Sequence, residues 1–323
     1  MDREGERVAC LEAYMKSLIP HNPSWMAADG STNIALAIQM SNERGRHLVA
    51  GRDIAPGEVI MCEPPAAIAT KTACKTSCIN CLTVLRNNIS SCEGCGVPLC
   101  TPKCVIKDHT DNECQILKRL GLKDLRERLA KDDGSEHKNN ENASENGSSD
   151  TEDNSDSESS SDKIVKILKV LNTILLPLRI IQLLKKSPKL STVILSLQSH
   201  AQTLFKLPIG QFHLKDMFGG LQDYLNIQVP PKFAERFCGI IITNTFNIIT
   251  ETNKLGRALA PLAAILNHSC MANAERFYYD DMMIIRASSP ISKGTPVTIS
   301  YTHNILGNRI RQSYLYTTKF FKC

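Results

Sequence analysis

The sequence predicts an α+β fold with strand-rich ends, a helical middle, and a cysteine-rich module set into the first strand-rich stretch. Three observations point there. RHLVAGRDIAPGEVIMC at 46–62 has the composition and turn chemistry of two short strands. Seven of the thirteen cysteines crowd between Cys78 and Cys114. From Arg257 onward the chain breaks into the strand-like runs ERFYYDD, MMIIRASS and PVTISYT, after a long stretch with helical rhythm.

At 323 residues and 42% apolar content, the chain is long enough to bury a substantial core. It has no charge-free run of about 18 apolar residues, so no membrane span is expected. The N-terminus, MDREGERVACLEAYMK, carries acids where a secretory leader carries bases, and it lacks a continuous apolar core. The expected location is the nucleus, the cytoplasm or both. Thiols stay reduced there, so a tight cysteine cluster reads as metal ligation rather than disulfides.

The net charge of +5 conceals an asymmetry: segment 132–162 holds eleven acids and one lysine, leaving about +15 on the rest. A basic body suits acidic partners, but charge alone identifies none. No ligand spacing matches a nucleic-acid reader, so direct nucleic-acid binding is not expected.

In chain order, Leu48, Val49 and Ala50 form the first strand, Pro56-Gly57 the turn, and Val59, Ile60 and Met61 the second strand. After the cysteines, CQILKRLGLKDLRERLAK spaces Leu117, Leu120, Leu125 and Leu129 as an imperfect helix. Segment 132–162 has no large apolar residue and is expected to be a disordered acidic loop. Its serines beside acids suit phosphorylation, although a passive linker is the favoured reading. KIVKILKVLNTILLPLRIIQLLKK is apolar and basic. A buried helix kinked at Pro177 is favoured there over one lying on an anionic membrane. Helical texture continues through about Ile249.

The cysteine module reads Cys78-x2-Cys81, Cys92-x2-Cys95, Cys100-x3-Cys104 and His109-x4-Cys114. A two-residue gap lets one turn offer two sulfurs to one ion, and eight ligands suit two tetrahedral zinc ions. So short a segment has few large apolar residues, so metal binding supplies much of its folding energy. Cys74 reads as a structural or surface thiol.

This series resembles a MYND finger. The resemblance implies interleaved sites, with Cys78, Cys81, Cys100 and Cys104 on one zinc and Cys92, Cys95, His109 and Cys114 on the other. The His109 to Cys114 gap is one residue longer than the family's.

Three further stretches resemble SET-domain signatures. Arg44-Gly45-Arg46-His47-Leu48-Val49-Ala50 is similar to the glycine-rich opening turn, with His47 in place of the second glycine. Leu266-Asn267-His268-Ser269-Cys270-Met271-Ala272-Asn273 closely resembles NHSCxPN, with Ala272 replacing proline. Val297-Thr298-Ile299-Ser300-Tyr301 is similar to the strand that delivers the family's catalytic tyrosine. The order of the pieces resembles the SET and MYND domain (SMYD) family, particularly its arthropod branch: a split, β-rich SET domain with an inserted MYND finger and a helical insert.

That resemblance implies a protein-lysine N-methyltransferase that uses S-adenosylmethionine and two finger zincs, acting in gene regulation on a histone or other protein. It implies Tyr301 as catalytic residue. Arg44, Gly45, Arg46, Asn244, Leu266, Asn267, His268, Tyr301 and Phe321 are implied on the cofactor side. Cys270 and Cys323 are implied as the remainder of an incomplete third zinc site, because the segment after Tyr301 reads as truncated. Lys319 stands where many relatives place a second channel tyrosine. The implied layout is an N-terminal extension (1–40), first SET segment (41–77), finger (78–114), helical insert (115–250), core SET segment (251–302) and truncated post-SET segment (303–323). The alternative is a catalytically weak interaction module of corepressor type, whose finger takes proline-rich peptides.

Overall fold

The computed structural model describes residues 3–71, 76–86, 89–104, 109–135, 159–250, 254–303 and 305–323. Cys74 and residues 136–158 of the acidic segment lie outside these; the expected loop is corrected at its two described ends, where 132–135 finish the helix Leu122–Ser135 and 160–162 open the helix Ser160–Lys186.

Helix α1 (Arg3–Ser17) has Glu4 and Glu6 in its first turn and Lys16 in its last, as the helix dipole favours. It buries Leu11 and Met15 beside Leu18 and Trp25. Trp25 donates its ring N–H to the Ile60 carbonyl at 2.9 Å, so the N-terminal segment is welded to the strands. Strand β1 (Leu36–Ser41) pairs antiparallel with β2 (Gly45–Ala50). The first strand predicted in 46–62 is thus β2, with a hairpin partner that crosses the 40/41 boundary. The second is β3 (Val59–Glu63), followed by β4 (Ala67–Thr70).

The cysteine module has little regular structure, only the two-residue strands β5 (Ser90–Ser91) and β6 (Pro98–Leu99). Its exit was expected as one helix. It is two, α2 (Cys114–Leu117) and α3 (Leu122–Ser135). Gly121 between them sits at φ 67°, a left-handed conformation that ends a helix.

The long apolar helix is α4 (Ser160–Lys186), capped by Ser159, whose hydroxyl accepts the Asp162 N–H. Pro177 lies inside it, and Leu171, Ile174, Leu175 and Leu178 are buried. The buried reading therefore holds. Among the described residues no helix is long and apolar enough to cross a membrane. The insert continues as α5 (Pro188–Ser196), α6 (Ala201–Leu204), α7 (Pro208–Leu214), α8 (Gly220–Leu225) and α9 (Pro231–Asn244).

The helical reading up to Ile249 needs correction. Helix α9 ends at Asn244, and Thr245–Ile249 is strand β7. Thr245, Phe246, Ile248 and Ile249 are β-branched or aromatic and prefer a pleated neighbour, which β8 (Leu255–Leu259) supplies. The sheet order is β4-β8-β7.

The last third forms β9 (Asn267–His268), β10 (Ala274–Tyr279), β11 (Met282–Ala287), β12 (Thr298–Ile299) and α10 (Asn308–Lys319). Strand β11 bridges β10 and β3, joining chain segments some 220 residues apart. Strands β9 and β12 run parallel, with Asn267 opposite Thr298 and His268 opposite Ile299. That short pairing sets the candidate site.

Candidate functional site

The eight predicted finger ligands gather into two groups of four: Cys78, Cys81, Cys100 and Cys104, and Cys92, Cys95, His109 and Cys114. Within each group all ligand atoms lie within 4.8 Å of one another. Tetrahedral zinc with sulfurs about 2.3 Å away separates neighbouring sulfurs by about 3.8 Å. The Sγ–Sγ distances fit: 3.7 Å for Cys78–Cys104, 3.6 Å for Cys81–Cys100 and 3.7 Å for Cys92–Cys114. His109 Nε2 stands 3.6 Å from Cys95 Sγ and 3.3 Å from Cys92 Sγ. The residue that lengthens the His109 to Cys114 gap is absorbed in a wide π-turn over His109–Glu113, which still points both side chains at one centre. Gly94 is needed there, because a Cβ on it would stand 2.5 Å from Cys114 Sγ.

Each group also has a sulfur prepared to be a thiolate, the form that ligates. The bond from Cys78 holds Cys81 far down, at about 4. Burial raises Cys92, but the bonds from His109, the Cys95 and Gly94 backbone and Cys114 together outweigh it and bring the thiol to about 7. His109 Nδ1 faces Glu113 Oε2 at 3.4 Å, which keeps Nε2 free for a metal. Sequence reasoning missed that carboxylate and its partner, Arg179 of α4. A lone arginine inside ILLPLRIIQLL was the available signal.

The second cluster centres on Tyr301. The Tyr301 hydroxyl donates to the Leu266 carbonyl at 2.5 Å, and its backbone N–H donates to His268 Nδ1 at 3.0 Å. Burial pushes the phenol up to about 12, so it stays neutral at physiological pH. The hydroxyl proton is committed to Leu266, leaving the oxygen's lone pairs as acceptors. The rings of His268 and Phe321 lie 5.3 Å and 6.4 Å from the Tyr301 ring. Tyr301 is not on the strand itself. Strand β12 ends at Ile299, and the tyrosine follows in a bend.

The opening turn joins this cluster through backbone, because Asn267 Nδ2 donates to the Arg44 carbonyl at 3.1 Å. Gly45 begins β2 at φ 61°, and His47 is buried with Nδ1–H donating to the Gly45 carbonyl at 2.9 Å. The Arg46 guanidinium turns to the Ser196 hydroxyl at 2.9 Å, the Ser196 carbonyl and Glu4. Asn244 is buried, and its amide donates to the Gln198 and Ile240 carbonyls. Its neighbour Thr243 accepts a 2.7 Å bond from Lys319 Nζ, which stands 5.5 Å over the Tyr301 ring. Burial, then the Arg276 charge, lowers the Lys319 amine to about 8. Two buried hydroxyls beside these groups, Thr243 Oγ1 and Thr302 Oγ1, have no hydrogen-bond partner among the described residues. Such orphaned groups suit a polar ligand.

Cys270 and Cys323 approach to 3.5 Å, and His268 Nε2 lies 3.3 Å from Cys270 Sγ. The two sulfurs are near enough to share a metal ion. His268 is poorly set to join them, because its Nδ1 already accepts the Tyr301 N–H, so Nε2 carries the proton.

The SET-domain model matches residues 45–302, and the chain belongs to the SET-domain family. Its relatives within that family include SET-and-MYND proteins. SET domain-containing protein SmydA-8, isoform A, of Drosophila melanogaster is 26% identical, aligned over 100% of this chain and 60% of that protein. Histone-lysine N-methyltransferase ASHR1 of Arabidopsis thaliana is 25% identical over 89% of this chain and 54% of that protein. The chain thus spans little more than half the length of these curated relatives. A solved structure, the SET domain of LSMT bound to lysine and AdoHcy, matches at 14% identity and a TM-score of 0.38, covering 95% of this chain and 58% of that one.

Proposed function

We propose that this chain carries an S-adenosylmethionine-dependent protein-lysine N-methyltransferase site, with Tyr301 as catalytic residue and a lysine of a histone or other protein as acceptor. The observation that carries the reading is the convergence of Tyr301 with Leu266, His268 and Phe321, from three separated stretches of sequence. Membership of the SET-domain family supports it.

S-adenosylmethionine, when bound, supplies a methyl group on a sulfonium. The chain's own part is positioning, which accounts for most of the rate in an in-line transfer. Asn267, His268 and the Arg44–Arg46 turn form the cofactor side. The Tyr301 oxygen accepts from the acceptor amine and steadies it. The aromatic walls lower the local dielectric and favour the neutral amine, the form with a free electron pair. Two zincs in the finger brace the neighbouring fold.

The test is transfer of labelled methyl from S-adenosylmethionine to a mixture of histones and other basic proteins, beside calorimetric cofactor binding. Tyr301→Phe should bind cofactor and lose transfer. If the wild type binds no cofactor, the enzyme reading is wrong.

A second reading is the interaction module, favoured by Lys319 on the Tyr301 ring. In it the finger takes proline-rich peptides and methyl transfer is weak. The proposed location is the nucleus, the cytoplasm or both. The organisation proposed for the chain keeps the finger at 78–114 and the insert at 115–250 between the two SET segments.

A further inference from the structure

Glu63 ends β3 and is fully buried. Oε1 accepts the Tyr14 hydroxyl at 2.9 Å and the Leu262 N–H at 2.9 Å, and Oε2 accepts the Ala263 N–H at 2.8 Å. Those two amides open the single turn Ala263–Ile265, which leads into Leu266 and then β9. Leu266 takes the Tyr301 hydroxyl, and Asn267 reaches Arg44. One carboxylate therefore clamps the start of the segment that holds the candidate site. Tyr14 comes from α1, which precedes the matched SET segment.

We propose that Glu63, held by Tyr14, is a positioning residue for backbone 262–268, making α1 part of the scaffold of the methyl-transfer site. The catalytic half of this statement rests on the function proposed above; the clamp does not. A carboxylate gives both amides and the phenol a charged acceptor, and such bonds are about twice as strong as neutral ones. Protonation puts a hydrogen on an oxygen already facing donors and weakens the clamp.

Burial raises Glu63 to about 7, against the lowering bonds from Leu262, Ala263 and Tyr14. The switch between the two states thus falls in the working range of pH. Tyr14 is the titratable group facing it from α1, and the turn at 262–263 presents only amides. Asn22 bonds the Cys62 backbone, and Trp25 bonds the Ile60 carbonyl; both are neutral. On β3 the neighbouring Cys62 thiol is itself raised by burial and stays neutral.

The experiment is hydrogen exchange of peptides covering 260–268 in the whole chain, at about pH 6 and pH 8 and corrected for intrinsic rates, for wild type, Tyr14→Phe and Glu63→Gln. Methyl transfer is profiled over the same range. Wild type should be less protected at the lower pH. Glu63→Gln should exchange about tenfold faster at the higher pH, the cost of losing a charged acceptor, and lose the pH response. Tyr14→Phe removes a bond that lowers the Glu63 pKa, so its acid limb should move to higher pH, a shift that loss of packing alone would not cause. Unchanged protection of 260–268 in wild type and both variants overturns the clamp. If that segment responds while wild type transfers no methyl, the clamp stands and the methyl-transfer reading falls. If Glu63→Gln fails to fold, the wild-type pH response and Tyr14→Phe still decide.

Discussion

Arg179 closes a two-pronged pair on Glu113: Nε donates to Oε1 at 2.6 Å and one terminal nitrogen donates to Oε2 at 3.0 Å. The other terminal nitrogen donates to the Ile68 and Ile79 carbonyls, at 2.8 Å and 3.0 Å. Glu113 faces the ring of His109, so helix α4, strand β4 and the finger meet in one buried network. Burial pushes the Glu113 carboxyl up, but His109 and Arg179 outweigh it and hold the group at about 2. It is ionised throughout the physiological range.

Arg179→Met should therefore be costly out of proportion to its size. Removing one member of a buried ion pair strands the other, typically at about 3–5 kcal/mol. A lost carboxylate partner of a ligating histidine also costs about 10–100-fold in metal affinity. The expected outcome is a lowered melting temperature together with faster release of one of two zincs to a chromogenic chelator. Release of both at the wild-type rate would show that the pair acts only on stability.

Gly94→Ala separates the two metal centres. A methyl at that position stands 2.5 Å from Cys114 Sγ and 3.6 Å from Cys92 Sγ, both in one group of four. Elemental analysis should find the variant short of one zinc per chain. The group of Cys78, Cys81, Cys100 and Cys104 should stay loaded. Full loading with two zincs would contradict the assignment of Cys92 and Cys114 to one ion.

How much of this was legible follows from how far apart the partners lie. The finger ligands stand at short, regular gaps, so spacing gave the eight ligands and a count of two ions, while their interleaved division into two groups of four came from the resemblance. The site around Tyr301 was legible only through resemblance, since β9 and β12 are two residues each and carry no periodic signal. Pairs such as Tyr14–Glu63 and Glu113–Arg179, 49 and 66 positions apart, have no local signature. The misread helix end at Thr245 has the same origin: the strand exists because β8 is there to pair with it, and a window of ten residues contains no β8.

Lys319 offers a prediction with a worked sign. Its amine stands over the Tyr301 ring and titrates near 8, so it is a cation below that pH and neutral above. Two cations about 6 Å apart repel by roughly 3 kcal/mol at an effective dielectric near 20. An acceptor lysine entering beside Tyr301 meets that charge at neutral pH. Lys319→Met should lower the KM for the acceptor several-fold at about pH 7, and the advantage should shrink as pH rises past 8. An advantage that persists unchanged at about pH 9 would mean that the effect is steric.

Glu63 gives the stability counterpart. Its pKa in the folded chain, about 7, lies above the ordinary 4.5, so between these values the folded state holds a proton that the unfolded state has released. Stability then falls as pH rises through this window, by up to roughly 3 kcal/mol once the carboxylate is fully ionised. The melting temperature of wild type should drop between about pH 5 and pH 8 more than that of Glu63→Gln, which has no proton to lose. Equal slopes would place the pH dependence elsewhere. A fully buried charge that weakens the fold at working pH needs a reason to be there, and the reason on offer is local: it is the acceptor that two amides at the head of the Leu266–His268 segment require. Replacing it should leave a more tolerant fold around a looser site, the usual exchange where a functional group is strained or buried.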